Sequence, residues 1–450
     1  MNDQAAAKPA TGYPPASTGW FLVAMLTIAY IFSFIDRYIL GLLIEPIKAE
    51  LGLSDTQIGL VLGPAFAVFY ATMGLPLGWL VDRKRRVWIV AAGVFVWSFA
   101  TAVSGLARNF PQLFFARMAV GVGEATLSPA AMSLISDSFP PERRGKPIAV
   151  YTAALSVGAA IASLIGGAVL LWAKTTESLE VPLFGEMAPW QLTFFAVGAP
   201  GLLLAGVFVF LREPPRGPAA VMDGEQIGNG VKDALRYMGR NLGVYAGFVS
   251  LVCIMTITAY SQGFLPAVFS RTWGWPAEQY AFVNAVVLLA VGPASVFISG
   301  ALSDRWAQRG EREAPIKLLV IGFLIMVPTA ILPMFMPSAE LAFVVLAVNT
   351  AGIAMVSAIG VVALLAITPA QIRGQITALY YMAISMSGLV FGPTTVGWLS
   401  TNVFGEDELR LAYAATIAIY ALIPLLCIPL TVRAYKRQLA KVAVAEGSTG

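Results

Sequence analysis

Continuous apolar runs recur along the whole 450-residue chain, at about 20–44, 57–81, 87–107, 111–136, 147–172, 190–211, 243–269, 278–303, 316–336, 339–366, 374–400 and 408–432. Crossing a hydrocarbon layer of ~30 Å takes roughly 20 helical residues, and each run meets that length. Backbone N–H and C=O groups find no partners in lipid, so only helices or closed barrels can span it. These runs are continuously apolar and do not alternate in ten-residue strands, which excludes the barrel. The sequence therefore predicts an all-α integral membrane protein of twelve transmembrane helices. Apolar residues make up 58% of the chain and charged residues only 12%, so the bilayer is its main solvent.

Lys and Arg set the expected orientation. The two tails and the loops after spans 2, 4, 6, 8 and 10 hold 22 of the 29 basic residues, and the opposite side holds Lys48, Arg108, Lys174, Arg271 and Arg410. Both termini are thus expected in the cytoplasm of a bacterial cell, with the chain in the inner membrane. The net charge of +4 reflects this topology and is no nucleic-acid footprint. Residues 1–19 read as a disordered tail without a cleavable leader, so the first helix is expected to act as an uncleaved insertion signal. Residues 20–211 read as one six-helix bundle, 212–242 as a cytoplasmic linker with a short surface helix over 231–240, 243–432 as a second bundle and 433–450 as a cytoplasmic tail. Cys253 and Cys427 fall within spans, where they serve as small apolar residues. The chain has no His, which removes His-based metal sites, triads and proton relays. No cofactor or metal is expected, and no enzyme activity.

The second half repeats the first. A shift of 222 places Gly52 on Gly274, Gln57 on Gln279, Gly78 on Gly300, Asp82 on Asp304 and Arg83 on Arg305; a shift of 229 places Gly123 on Gly352, Pro140 on Pro369 and Arg144 on Arg373; a shift of 230 places Gly158 on Gly388 and Gly167 on Gly397. Six spans per half, repeated in the same in–out sense, resemble the major facilitator superfamily, whose substrate site lies between the halves near the midplane. Gly78-Trp-Leu-Val-Asp82-Arg83-Lys-Arg-Arg86 resembles that superfamily's signature after span 2, and Gly300-Ala-Leu-Ser-Asp304-Arg305 is its weaker copy. The resemblance implies that Gly78 permits close helix approach, and that Asp82, Arg83, Arg86, Arg144, Asp304, Arg305 and Arg373 gate the cytoplasmic side. Arg85 stands where the superfamily favours Gly, which puts the tight turn in question. The Gly-rich ends of spans 5 and 11 read as packing positions, or as flexible gating positions.

Four ionisable groups lie well inside the spans: Asp36, Arg37, Arg117 and Glu124. A charge at the bilayer centre costs at least about 2.5–3.5 kcal/mol, so each needs a partner or a wet cavity. Their repeat counterparts are Thr258, Ala259, Leu346 and Ile353, so the ionic machinery belongs to one half. Arg117 and Glu124 are two helical turns apart and share a face, whereas Asp36 and Arg37 point about 100° apart. The four form either a buried network that fixes helix packing or a site for coupling protons to opening. In the second case Glu124 is the first choice of proton carrier and Asp36 the next, because a low-dielectric site favours the neutral form of a carboxyl group. Arg37 or Arg117 would neutralise the carboxylate or bind an anionic head group. Weaker cavity candidates are Tyr70, Ser128, Thr152, Tyr260, Gln262, Asn284, Asn349, Tyr380, Tyr381 and Ser385.

Phe34-Ile-Asp36-Arg37-Tyr38, Ala116-Arg117-Met-Ala-Val-Gly121-Val-Gly123-Glu124-Ala125 and Phe139-Pro140-Pro141-Glu142-Arg143-Arg144-Gly145 are similar to the spinster family, in its bacterial branch. The resemblance implies alternating access, working as a monomer, and proton-dependent transport of a lysophospholipid or sphingosine-phosphate-like molecule with a charged head. A symporter for organic anions and a multidrug exporter are the competing readings.

Overall fold

A computed structural model describes residues 13–140, 143–175, 179–181, 185–216, 231–369 and 372–447. Residues 1–12 of the tail and 217–230 of the linker lie outside the described residues. Eleven helices are long and apolar enough to cross a membrane, and the 31-residue helix Gly145–Thr175, apolar over Gly158–Trp172, is the remaining span 5. Span 1 is Ala16–Leu42, span 3 Arg86–Ser104 and span 6 Pro189–Phe210; span 8 is Ala277–Gln308, span 9 Ala314–Ile331 and span 10 Ala339–Ala366. Span 12 runs on as Leu409–Gly447, so the segment expected as a tail continues its helix. The surface helix forms at Val231–Arg240. A two-stranded hairpin, β1 (Leu179–Val181) against β2 (Gly185–Met187), joins spans 5 and 6, a small departure from the all-α expectation.

Proline breaks several spans, because it removes the hydrogen bond to the carbonyl four residues back. Span 2 divides into Asp55–Leu62 and Pro64–Arg83. Span 7 divides into Leu242–Ser261 and Leu265–Trp273 ahead of Pro266. In span 11, Arg373–Met386 passes through a π-turn at Ser387–Phe391 into Gly392–Leu399, with Pro393 at the joint. Span 4 divides into Phe110–Glu124 and Leu127–Ser138, with Pro129 freeing the carbonyl of Ala125. The repeat counterpart of Pro129 is Ala358, and span 10 is one unbroken helix.

The repeat holds in space as well as in sequence. Gly123 lies against the backbone of Trp97, and its counterpart Gly352 against that of Met326, which is 97 shifted by the same 229. Arg144 Nε donates to the carbonyl of Phe139 at 2.8 Å, and Arg373 Nε to that of Thr368 at 2.9 Å. Each Arg caps the carbonyl end of the preceding helix, a structural duty that the gating expectation did not include. Close approach of backbones needs a residue without a side chain at such crossings. Gly123→Leu will therefore cost about 1–3 kcal/mol through overpacking and lower the melting temperature in detergent. Gly78→Leu will leave it unchanged, because a Cβ at Gly78 meets nothing within 4 Å. That last fact corrects the expectation that Gly78 permits close helix approach; in this conformation its flank, like that of Gly300, faces open space.

The halves meet at the membrane face opposite the termini. One buried cluster joins Ile39, Leu43 and Ile47 of the first half to Phe264, Phe269 and Leu409 of the second. Gly59 and Gly63 of span 2 abut the carbonyls of Pro393 and Leu389 in span 11, and Gly167 of span 5 abuts Ala281 of span 8. Positions 59 and 281 differ by the repeat shift of 222, so the two seams are symmetry-related. In the Gly-rich segments of spans 5 and 11, Gly167 and Gly397 thus pack the seam, while Gly158, Gly166, Gly388 and Gly392 pack within their own halves. Phe210, Phe297 and Leu203 are largely exposed, on flanks that acyl chains cover in a bilayer.

Candidate functional site

Span 1 carries Ser33, Asp36 and Arg37, and span 4 carries Arg117 and Glu124; their packing with span 3 assembles two ion pairs. Arg117 pairs with Asp36 at 3.2 Å, and the Thr101 hydroxyl donates to the other Asp36 oxygen at 2.7 Å. Arg37 Nε donates to Glu124 Oε2 at 2.8 Å, and the Ser33 hydroxyl donates to the same oxygen at 2.6 Å. Glu124 is the last residue before the break in span 4. Neither its Oε1 nor Arg117 Nε has a hydrogen-bond partner among the described residues, although both are buried.

The two pairs face different ways. Asp36 points toward spans 3 and 6, beside a void of about 10 Å³ lined by Trp97, Ser98, Thr101 and Gly198, room for about one water. Side-chain exposure is 2% for Arg117, 3% for Asp36 and 1% for Glu124, against 20% for Arg37, the most exposed of the four. The Arg37 guanidinium lies over Phe66 at 4.6 Å and Tyr70 at 5.4 Å, an arrangement that holds a cation at the edge of an aromatic wall. Tyr30 stacks on Tyr151 nearby. The second half brings Tyr260 against the first half's core, and the repeat counterparts of the charged residues carry no charge: Thr258 bonds its own helix, and Leu346 is buried.

The weaker candidates divide. Tyr70 and Tyr260 lie at the cluster, and Ser128 is half-buried one turn past Glu124. Gln262 donates to Asn349 at 3.1 Å and Asn349 to the Met326 carbonyl at 2.8 Å, so this pair ties helices of the second half. Asn284 reaches Ser163 across the seam at 3.5 Å. Thr152 bonds its own helix. Tyr380 is buried against Phe248, Tyr381 is exposed and Ser385 half-buried. Cys253 and Cys427 are free thiols.

On the termini side, Arg86 is buried and pairs with Asp137 and with Glu213 at 3.0 Å, and it donates to the Pro214 carbonyl at 3.1 Å. These contacts bind the first half to its own linker and do not bridge the halves in this conformation. Arg83 lies over Trp79 at 4.2 Å, Asp304 and Arg305 are exposed, and the side chain of Asp82 lies outside the described residues. Arg85 adopts extended backbone, so no glycine-only turn is needed there.

A second cluster, missed by the sequence reading, closes the opposite face. Asp55 is fully buried and accepts from Arg271 at 2.7 and 2.9 Å, from Ser400 at 2.6 Å and from Lys48. Lys48 also pairs with Glu406 at 2.6 Å, and the Asp55 N–H donates to Glu406 at 2.7 Å. Lys48 and Asp55 belong to the first half, Arg271, Ser400 and Glu406 to the second. The one local signal was Ser54-Asp55-Thr56-Gln57, a capping box at the start of span 2.

A sequence profile described as Major Facilitator Superfamily matches residues 26–264 and 247–447. The chain belongs to that superfamily. It is accordingly a multi-pass membrane transport protein and not an enzyme. Among superfamily members, an efflux pump of Mycolicibacterium smegmatis is 28% identical over 432 residues, 94% of this chain and 95% of that protein. A probable L-galactonate transporter of Escherichia coli is 27% identical over 65% of this chain and 63% of its own length. The crystal structure of a bacterial homologue of the human lysosomal transporter spinster, inward-facing and unoccupied, superposes with a TM-score of 0.83 at 26% identity, covering 94% of this chain and 99% of that one. The spinster resemblance read from the sequence is thereby supported by the whole fold.

Proposed function

We propose that this chain is a secondary carrier working by alternating access, which couples protons to the movement of an amphipathic, lipid-like molecule with an anionic head. The observation that carries this is the one-sided placement of charge: two ion pairs lie within the spans of the first half, the Arg37–Glu124 pair being the one turned toward Tyr260, while the repeat counterparts in the second half, Thr258, Ala259, Leu346 and Ile353, are uncharged. Arg37, partly exposed beneath aromatic faces, binds the head. The apolar second half receives the tail. Glu124 carries the proton, since its release from Arg37 on protonation frees that guanidinium for substrate, and Asp36 is the alternate carrier. Both termini lie in the cytoplasm and the membrane is the bacterial inner membrane, so the open side is cytoplasmic. In the opposite state Gly78, Asp82, Arg83, Asp304 and Arg305 come to the closed side and gate it. Each six-helix bundle moves as a unit about the linker, in a monomer.

A second reading, a symporter for small organic anions or an exporter of drugs, is favoured by the same exposed Arg37 and by the galactonate transporter and efflux pump among the relatives. Purified protein in liposomes, offered lysophosphatidylglycerol, sphingosine-1-phosphate or galactonate with and without a pH gradient, separates the two. Gradient-stimulated movement of either lipid supports the proposal. Movement of galactonate alone sinks the substrate class.

A further inference from the structure

Away from the charge cluster, a groove of 470 Å³ opens on the outer flank of the first half, between spans 2 and 3 and floored by span 4. It exists because span 2 leans toward span 11 at Gly59 and Gly63, while span 3 is drawn onto span 4 at Gly93. Leu77 and Leu80 form one wall, Trp88 and Val96 the other. Gly123 and Thr126, which flank the span 4 break, lie at its floor. Trp88 is 53% exposed, so the groove opens laterally, where only hydrocarbon can fill it. Its volume falls within the ~300–1,000 Å³ of small-molecule sites.

Lys84 and Arg85 close one end, at the membrane face that carries the termini. The Lys84 ammonium has no carboxylate partner among the described residues. Arg85 is 64% exposed, with Glu213 at 4.0 Å, and its guanidinium sits 5.4 Å from the Trp88 ring centroid. An apolar slot ending in two available cations beside an interfacial Trp is complementary to one kind of molecule. We propose that this groove binds a resident anionic membrane phospholipid, one acyl chain in the slot and the headgroup phosphate on Lys84 and Arg85. The transported molecule takes a different path, because no residue of the second half and none of Asp36, Arg37, Arg117 and Glu124 lines the groove.

The full chain, stripped of lipid in detergent, is titrated with dioleoylphosphatidylglycerol or dioleoylphosphatidylcholine, and bound lipid is counted by native mass spectrometry. One phosphatidylglycerol is expected to bind roughly 25-fold more tightly than phosphatidylcholine. Ala92→Phe, which fills the slot from a lipid-facing position, abolishes that preference. Lys84→Gln with Arg85→Gln lowers it by roughly fivefold per charge, and this surface variant keeps the test open where Ala92→Phe does not fold. Arg309→Gln with Arg312→Gln, on the equivalent loop of the second half, leaves it unchanged. Equal binding of the two lipids overturns the proposal, as does an equal loss in the control pair or an unaltered preference in a folded Ala92→Phe. Lysophosphatidylglycerol binding there in preference to the diacyl lipid also overturns it, since the occupant would then be a transported amphiphile.

Discussion

Glu124→Gln will abolish substrate accumulation driven by a pH gradient, lowering it at least about tenfold to the level of empty liposomes, while counterflow exchange of substrate persists within a few-fold of the wild type. Glutamine keeps the shape and still accepts from Ser33 and Arg37, which bond the same oxygen at 2.6 and 2.8 Å. It cannot bind or release a proton, so the step that ties opening to the gradient is lost, whereas a permanently neutral side chain holds Arg37 by hydrogen bonding alone, without an ion pair, and an anionic substrate can displace it. Asp36→Asn should behave differently. It strips the counter-charge from Arg117, which is 2% exposed and has no other carboxylate partner among the described residues, and breaking a buried pair from one side costs about 3–5 kcal/mol. Loss of yield and melting temperature is thus expected of Asp36→Asn, and loss of coupling in a stable protein of Glu124→Gln. If both variants merely fall in stability together, the four charges form a packing network and the proton site lies elsewhere. The measurements are paired uptake and counterflow in liposomes, with melting temperatures taken on the same preparations.

The difference between these two carboxylates was only partly legible in the sequence. Spacing places Asp36 and Arg37 about 100° apart and puts Arg117 and Glu124 on one face, which is enough to anticipate a cluster but not to divide it. What divides it is span 3: Thr101 and the void beside Trp97 and Gly198 claim Asp36, and nothing near residues 97–101 announces that role. Pro129, by contrast, is a signal that the sequence carries and that the reading of 111–136 as one span passed over. Its absence from the second half, where Ala358 stands, accounts for why span 4 breaks beside Glu124 and span 10 does not. Gly78 misled because a glycine in a motif announces close packing only where a partner helix lies beside it, and here nothing stands within 4 Å of its flank. The spans themselves and the offset of the halves were plain, because hydrophobic length and self-similarity are local properties that no partner can alter.

Asp55→Asn will open the membrane face opposite the termini, the outer face in the proposed orientation. The residues concerned are polar groups at helix ends, separated by up to 358 positions, and in sequence they are indistinguishable from solvated loops; only folding buries Asp55 completely. There it accepts two bonds from Arg271, one from Ser400 and one from Lys48, and so joins the halves at a single carboxylate. Asparagine removes the charge and replaces one acceptor with a donor facing two cations. Truncating one partner of a desolvated charge pair costs about 2–5 kcal/mol, and each 1.4 kcal/mol is about tenfold in population. The closed outer seam therefore loses roughly thirty-fold or more relative to the open one. Glycines at 59, 63 and 397 still let the seam close, so the effect is on the equilibrium and not on folding. Spin labels at Arg108→Cys and Pro337→Cys, exposed sites at the outer ends of opposite halves, in a background lacking Cys253 and Cys427, report it by pulsed electron resonance. The wild type should show mainly the short distance, and Asp55→Asn a long distance of comparable or greater weight. An unchanged distribution would mean that the apolar contacts of spans 2 and 11 alone hold the outer face shut, and the ion cluster would then be a consequence of closure instead of its cause.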